Sequence, residues 1–191
     1  MTDTNTTGFY FLADHPVLDF LNTVVQTDGQ PQDLWQSDDD VKNWLSSSGL
    51  VLIPPQQVFP AGTLLAEARQ LRDIIRTLIS AHKQQQPLIA DSLNQYLTAA
   101  VSHISLQQQQ DGSLQAERLY QHQTASQLLA PIAEQAAALL ATANFELVRE
   151  CEHPQCSLWF YDTTKAHRRR WCSMALCGNR AKVARFRQKQ D

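Results

Sequence analysis

Cys151-Glu152-His153-Pro154-Gln155-Cys156 and, after 15 intervening residues, Cys172-Ser173-Met174-Ala175-Leu176-Cys177 contain every cysteine of this 191-residue chain. Two close pairs joined by a short connection allow four thiolates to converge on one tetrahedral zinc ion. A site with four sulfur ligands has no open position for water or substrate, so it indicates an architectural role rather than hydrolysis. We therefore predict one structural Zn²⁺ held by Cys151, Cys156, Cys172 and Cys177.

Two disulfides are the alternative interpretation, and they would suit a small secreted domain. The chain opens with a polar stretch at residues 1–7, which lacks the basic start and apolar run of a signal peptide. No later apolar stretch is long enough to span a bilayer. We expect a cytoplasmic protein without membrane contact, in which the thiolates stay free to bind metal. Redox-active or merely buried cysteines are the remaining alternative.

The charges divide near Glu150. Residues 1–150 carry 7 Lys and Arg against 16 Asp and Glu, a net charge of −9, whereas residues 151–191 carry 9 against 3, a net charge of +6. A basic tail after an acidic body is expected when one end of a chain meets a polyanion such as nucleic acid. Part of the excess has another explanation, because four thiolates on a divalent ion leave a charge of about −2 for nearby cations to offset.

The upstream residues predict one mainly helical domain, since about 150 residues suffice for a core. Apolar periodicity and helix-start signals predict five helices. The first covers 15–25, the second begins at Asp38 and stops at 46–49, and the third begins at Thr63. The last two cover 87–101 and 127–140. A proline-rich connector covers 53–60. Asp111-Gly112 predicts a hairpin between 104–110 and 113–119, with a glutamine-rich coil as the alternative.

Asp19 and Asn22 lie three residues apart in the first predicted helix and so share a face. We predict a ligand-binding pair there, turned toward a pocket or toward the backbone of a neighbouring segment. Capping or solvated polar residues are the alternative.

The cysteine-rich tail divides into elements of suitable length. A tight knuckle at 151–156 is followed by a predicted strand at 157–162, which turns and pairs with 170–172, and then by a helix from Cys177 through Phe186. Knuckle, hairpin and helix around one zinc make a treble-clef-like finger, in which the metal replaces the core that about 40 residues cannot build. The predicted fold class is α+β, with domains at 1–148 and 149–191.

Arg170-Trp171-Cys172-Ser173-Met174-Ala175 followed by Cys177-Gly178-Asn179-Arg180-Ala181-Lys182-Val183 resembles the signature of the CGNR zinc finger. The upstream Leu18-Asp19-Phe20-Leu21-Asn22-Thr23 resembles the ABATE domain, which precedes this finger in bacterial proteins. The resemblance implies a body of helices with a small β component, zinc on the four cysteines, and a role as a stress-linked transcription regulator. Members often carry an asparagine where this chain has Ala166 or His167.

The resemblance further implies DNA binding by the basic side chains of the last helix and of the loop before it. Guanidinium groups suit phosphate, and they can also reach guanine edges from the major groove. The predicted nucleic-acid-binding residues are Arg168, Arg169, Arg170, Arg180, Lys182, Arg185, Arg187 and Lys189. The tail aromatics could stack on bases, but we expect Phe160 and Trp171 to form the core of the finger.

The sequence thus predicts a transcription regulator that binds DNA through its zinc finger while the N-terminal domain senses a small ligand or another signal. A homodimer would enlarge the small contact that one finger offers. The alternative is a zinc-stabilised protein-protein interaction module that never meets nucleic acid. We expect no enzyme, because the chain lacks a Gly-rich phosphate loop, an HExxH motif and a nucleophile elbow.

Overall fold

A computed structural model describes residues 8–51 and 59–187 of the chain. The helices are α1 (Pro16–Leu21), α2 (Asp38–Ser48), α3 (Thr63–Lys83), α4 (Asp91–Ala99), α5 (Ala125–Thr142) and α6 (Asn179–Arg187). The strands are β1 (Val24–Thr27), β2 (Gln30–Asp33), β3 (Ser102–Gln108), β4 (Leu114–Tyr120), β5 (Val148–Glu150) and β6 (Trp159–Tyr161). Each sheet is an antiparallel pair, in the order β1-β2, β3-β4 and β5-β6. The α+β class predicted from the sequence is confirmed.

The core forms around α3 and α5. Both helices bury apolar side chains at helical spacing, including Leu71 and Ile75 on α3 and Leu128 and Ile132 on α5. α1 and α4 pack against this pair, and α2 packs against α3. The same buried cluster continues into Phe160 of β6, so body and zinc finger share one core. Among the described helices, none has the length and apolarity that a membrane span requires.

The first predicted helix is wrong in its second half. α1 ends at Leu21, and Val24 and Val25 belong to β1, which pairs with β2. Asp28 and Gly29 form the two-residue turn between these strands with φ of 51° and 78°, values that an Asp-Gly turn accepts. The signal for this hairpin is therefore present in the sequence, but the spacing of the apolar residues before it also fits a helix and predicts the wrong element.

The second predicted hairpin is confirmed. β3 and β4 pair in register from Ser102 opposite Tyr120 to Gln108 opposite Leu114, with Gly112 in the turn at a φ of 85°. The glutamine run is therefore strand in its first part rather than coil. The preceding helix, α4, begins at Asp91 rather than at Pro87; Leu93 and Tyr96 are buried, whereas Leu88, in the predicted first turn, is 42% exposed.

The remaining helix predictions hold within a few residues. α2 begins at Asp38 with a capping box formed by Ser37 and Asp40, and it ends at Ser48; the C-cap is Gly49, whose φ of 70° suits glycine. α3 begins at Thr63, and α5 is two residues longer at each end than predicted. In the predicted connector, residues 53–58 lie outside the described part of the chain.

The strand pairing predicted for the finger is wrong. β6 pairs with β5, which precedes the knuckle, and not with residues 170–172. The knuckle itself makes the reversal between β5 and β6, so the strand before the first cysteine is the nearest partner. The returning segment is joined to the knuckle by a backbone hydrogen bond, which the Glu152 amide donates to the Arg170 carbonyl at 2.9 Å.

Candidate metal centre

The four cysteine sulfurs converge on one point. All lie within 4.8 Å of one another, with Sγ of Cys172 3.8 Å from that of Cys156 and 3.6 Å from that of Cys177. A tetrahedral zinc with Zn–S bonds of about 2.3 Å requires sulfurs about 3.8 Å apart, whereas a disulfide requires about 2 Å. The cluster therefore has the dimensions of a four-thiolate zinc site, and all four cysteines are unbridged.

Backbone hydrogen bonds position the first cysteine pair. Cys151 follows β5 and its amide donates to the Leu158 carbonyl at 2.9 Å, which keeps the knuckle closed as the chain enters β6. The Cys156 amide donates to the His153 carbonyl at 2.9 Å within the same turn. This tight loop brings both sulfurs of the pair to one side.

A π-helical turn at Met174–Gly178 positions the second pair and leads directly into α6. The last helical segment therefore begins three residues earlier than predicted, and Cys177 lies inside the turn. Amides of Cys177 and Gly178 both donate to the Ser173 carbonyl, at 3.0 and 3.1 Å. Turns of this kind are common at functional sites. Here the turn places Sγ of Cys177 3.6 Å from Sγ of Cys172.

Gly178 is held between two side chains. A Cβ atom at this position would lie 2.6 Å from Sδ of Met174 and 3.2 Å from Cδ1 of Trp171. A larger residue here would require the exposed end of the Met174 side chain to move aside and would lie close against Trp171.

The electrostatics of the cluster favour a cation at its centre. Hydrogen bonds from Cys156 and Cys172 lower the pKa of the Cys151 thiol, whereas hydrogen bonding to Cys151 raises the pKa of Cys172. Burial, followed by the charges of Cys156 and Cys151, raises the pKa of Cys177 to about 12. Four crowded sulfurs cannot all ionise alone, and a divalent zinc supplies the charge that makes four thiolates compatible.

The loop after β6 is organised by Asp162, a residue that the sequence analysis did not single out. Its carboxylate is fully buried; it accepts hydrogen bonds from the Thr164 amide at 3.1 Å, the Thr164 hydroxyl at 2.6 Å and the Arg169 amide at 2.9 Å. Burial raises its pKa, but these bonds outweigh burial and hold the pKa below its usual value. Arg149 pairs with the same carboxylate at 3.3 Å. A buried charge with this many donors fixes the loop that carries Arg168.

Arg169, one of the predicted nucleic-acid-binding residues, is turned inward. Its guanidinium donates to the Asp14 carboxylate at 2.6 Å and to the carbonyls of Leu12, Trp171 and Cys172 at 2.6, 3.0 and 2.5 Å. It also lies over the Phe160 ring, 4.3 Å from the ring centre. The side chain joins the N-terminal segment to the zinc-binding loop, so most of its donors are occupied within the chain.

The other predicted basic residues that the structure describes lie on the surface. Arg170 pairs with Glu152 at 2.5 Å and stacks over Trp171. The exposed set consists of Arg168, Arg170, Arg180, Lys182, Arg185 and Arg187. Lys189 lies outside the described residues. Of the two aromatic residues predicted as core, Phe160 is fully buried and Trp171 is half-buried.

Asp19 and Asn22 lie at the contact between body and finger. Asn22 makes two backbone hydrogen bonds to Trp159 of β6, donating to its carbonyl at 2.9 Å and accepting from its amide at 2.8 Å. Asp19 accepts from the amides of Leu12 and Ala13, both at 2.9 Å. Both side chains thus face the backbone of neighbouring segments, one of the two orientations expected from the sequence. Ligand binding by this pair stays a prediction.

Comparison with known families finds two family models that match successive segments of the chain. A family model named ABATE, described as "Putative stress-induced transcription regulator", matches residues 14–143. A second, the CGNR zinc finger, matches residues 148–190. A search of curated proteins found no significant match. The family matches confirm zinc as the cofactor of the four-cysteine cluster, and they are a regulator family and a zinc-finger family rather than enzyme families. The chain therefore belongs to the ABATE family of transcription-regulator type and carries a CGNR zinc finger after the ABATE segment.

Proposed function

We propose that this protein regulates transcription in the cytoplasm by binding duplex DNA through its zinc finger, with residues 1–148 as the regulatory unit and 149–191 as the DNA-binding unit. The observation that carries the proposal is the charge of the finger surface. Between Thr163 and Gln190 the chain has no Asp or Glu, and Arg168, Arg180, Lys182, Arg185 and Arg187 are exposed there. Such a surface matches the electrostatic footprint of a nucleic-acid-binding protein.

The arrangement of these cations supports contact with a phosphate backbone. α6 has no buried residue among those described, so the helix stands clear of the core and is open to a partner. Arg180 and Arg187 lie seven residues apart on one face of the helix, and Lys182 and Arg185 lie on the opposite face, as suits a helix in the major groove with phosphates on both sides. The loop fixed by Asp162 adds Arg168 as a further cation. Most of these contacts would position the finger rather than read sequence.

Zinc in this proposal has a structural role. It fixes the π-helical turn at the start of α6 and thereby the direction in which the basic helix leaves the core. With four thiolates bound, the metal has no position for a substrate. We therefore propose no catalytic activity for the metal centre.

A second candidate function is protein docking by the same helix. Val183 and Phe186 are 51% and 63% exposed on α6, and exposed apolar residues beside cations also suit a protein interface. In that case the finger would bind an acidic protein surface and DNA would compete weakly or not at all.

Salt dependence of DNA binding separates the two candidates. We expect zinc-loaded protein to bind random-sequence duplex DNA with an affinity that falls steeply with salt, because each phosphate contact releases counterions. Arg185→Ala combined with Arg187→Ala should lower the slope of log K against log[salt] by about 2. Arg118→Ala, an exposed arginine on β4, is the matched control and should leave the slope unchanged.

Absent or salt-insensitive binding by the parent protein would favour protein docking. If the protein does bind DNA, selection of bound sequences from random duplex DNA tests for sequence preference without assuming a target.

A further inference from the structure

A cleft of about 670 Å³ lies between the N-terminal segment and the zinc finger. We call it the junction cleft; its lining includes Tyr10, Phe11, Arg168, Arg170, Trp171 and Met174. Its volume falls within the range of small-molecule sites. The cleft is distinct from the predicted pair Asp19 and Asn22, neither of which lines it.

The walls of the junction cleft are largely aromatic or apolar. Tyr10 and Phe11 are half-buried on one side, and Trp171 is half-buried on the other. Met174 is 52% exposed at the finger side, although it is a large apolar residue. A cleft with this lining favours a ligand that has a flat apolar body.

The charge of the cleft is positive. Asp14 is an acidic residue of the lining, and Arg169 pairs with it at 2.6 Å. Arg170 is paired with Glu152. Within the described part of the chain, Arg168 is exposed and forms no ion pair, so its guanidinium is available to an anion.

We propose that the junction cleft binds a small aromatic anion, with the ring between Tyr10, Phe11 and Trp171 and the anionic group on Arg168. Carboxylate, sulfonate and phosphate groups share the required chemistry, because each accepts hydrogen bonds from a guanidinium. The cleft is formed jointly by the N-terminal segment and the finger, and Arg169 joins its two walls. Occupation of the cleft therefore acts directly on the zinc finger.

The ligand would also weaken DNA binding. This part rests on the proposed function, because Arg168 belongs to the exposed cations assigned to phosphate contact. An anion held by Arg168 removes one cation from the DNA-binding surface and adds a negative charge beside it. The aromatic anion is thus the signal to which the protein responds, and its binding weakens the binding of DNA.

The test uses the fluorescent sulfonate 1-anilinonaphthalene-8-sulfonate and its neutral analogue N-phenyl-1-naphthylamine on the zinc-loaded full chain. We expect saturable binding of the sulfonate at one site, about tenfold tighter than the neutral analogue. Arg168→Ala should weaken sulfonate binding about tenfold and leave the neutral analogue unaffected. Arg118→Ala is the matched control and should change neither.

Equal affinity for the two probes, or an Arg168→Ala variant that binds the sulfonate as the parent does, would overturn the anion site. Non-saturable binding would overturn the cleft as a ligand site. Arg168 is exposed, so the variant should keep its fold; zinc content and circular dichroism verify this independently.

A DNA titration at saturating sulfonate tests the antagonism. We expect the probe to weaken DNA binding of the parent several-fold and to have little effect on Arg168→Ala. DNA binding that is unchanged by bound probe would contradict the antagonism but leave the site standing. If the parent binds no DNA without probe, the proposed function fails, while the probe titrations still decide the junction cleft.

Discussion

Buried polar side chains decide how the body meets the finger. Asn22 is 1% exposed and its amide group satisfies both backbone groups of Trp159. Asp19 is 8% exposed and holds the amides that lead into the N-terminal wall of the junction cleft. Each side chain forms hydrogen bonds with buried backbone groups that would otherwise lack a partner. Asp19 and Asn22 thus have a structural role at the contact between body and finger.

Asp19 should make stability depend on pH. Burial raises its pKa to about 7, although the Ala13 and Leu12 amides act to lower it. In the unfolded chain the carboxyl loses its proton near pH 4. Between pH 4 and 7 the folded state therefore binds more protons, and its stability falls as the pH rises through that window.

Asp19→Asn removes this ionisation while keeping an oxygen for the two amides. We expect the stability of the variant relative to the parent to rise by about 2 kcal/mol between pH 5 and pH 8. Urea unfolding of both proteins in excess zinc measures the difference in the free energy of unfolding. The pH dependence that comes from zinc binding to the cysteines is the same in both proteins and cancels. A difference independent of pH would mean that the amides keep the Asp19 pKa near its ordinary value.

The start of α3 shows how a helix depends on a residue outside it. α3 begins after Gly62, and its start has no side-chain cap of its own. Asp38, in the first turn of α2, instead accepts hydrogen bonds from the Gly62 amide at 2.8 Å and the Leu65 amide at 2.7 Å. One carboxylate thus stabilises the starts of two helices.

Asp38→Ala should destabilise the fold by about 1–2 kcal/mol, because it removes this cap from α3. Asp39→Ala is the matched control: its side chain is 82% exposed and, among the described residues, pairs only with Lys42, a surface ion pair worth less than about 0.5 kcal/mol. Chemical unfolding of the two variants measures the difference. Equal losses would show that Asp38 acts only through the dipole of α2.

The whole molecule couples the metal to the body through a shared core. Phe160 and Val148 from the finger side belong to the same buried cluster as Leu18 and Phe20 of α1. Arg169 and Asn22 add polar contacts across the same junction. Zinc therefore stabilises more than the finger that binds it.

Cys172→Ser should abolish stoichiometric zinc binding and unfold the finger, since the metal holds the knuckle at 151–156 against the turn that precedes α6. The body should keep most of its helical circular dichroism at 20 °C but unfold several degrees lower, because the shared cluster loses its finger side. Ala175→Ser, in the same turn and exposed, is the control that should retain zinc. Elemental analysis with thermal unfolding checks both, and equal zinc content in Cys172→Ser and parent would contradict the ligand assignment.

The sequence by itself determined the features that depend on neighbouring residues. Cysteine spacing indicated the zinc site, apolar periodicity indicated α3 and α5, and Asp111-Gly112 indicated the β3-β4 hairpin. These signals are local, because helix and turn formation depend on residues a few positions apart. The Asp28-Gly29 turn shows that an equally local signal can be missed when helical periodicity competes with it.

Only the tertiary structure decided the long-range partners. Asn22 and Trp159 are 137 residues apart in the sequence, and Asp14 and Arg169 are 155 apart. β6 pairs with β5 rather than with residues 170–172. The charge pattern predicts Arg169 as a DNA contact, and its ion pair with Asp14 and its position over the Phe160 ring became visible only in the fold. The physical reason is that a side chain's partners are set by which segments the shared core brings together, and that depends on the whole chain at once.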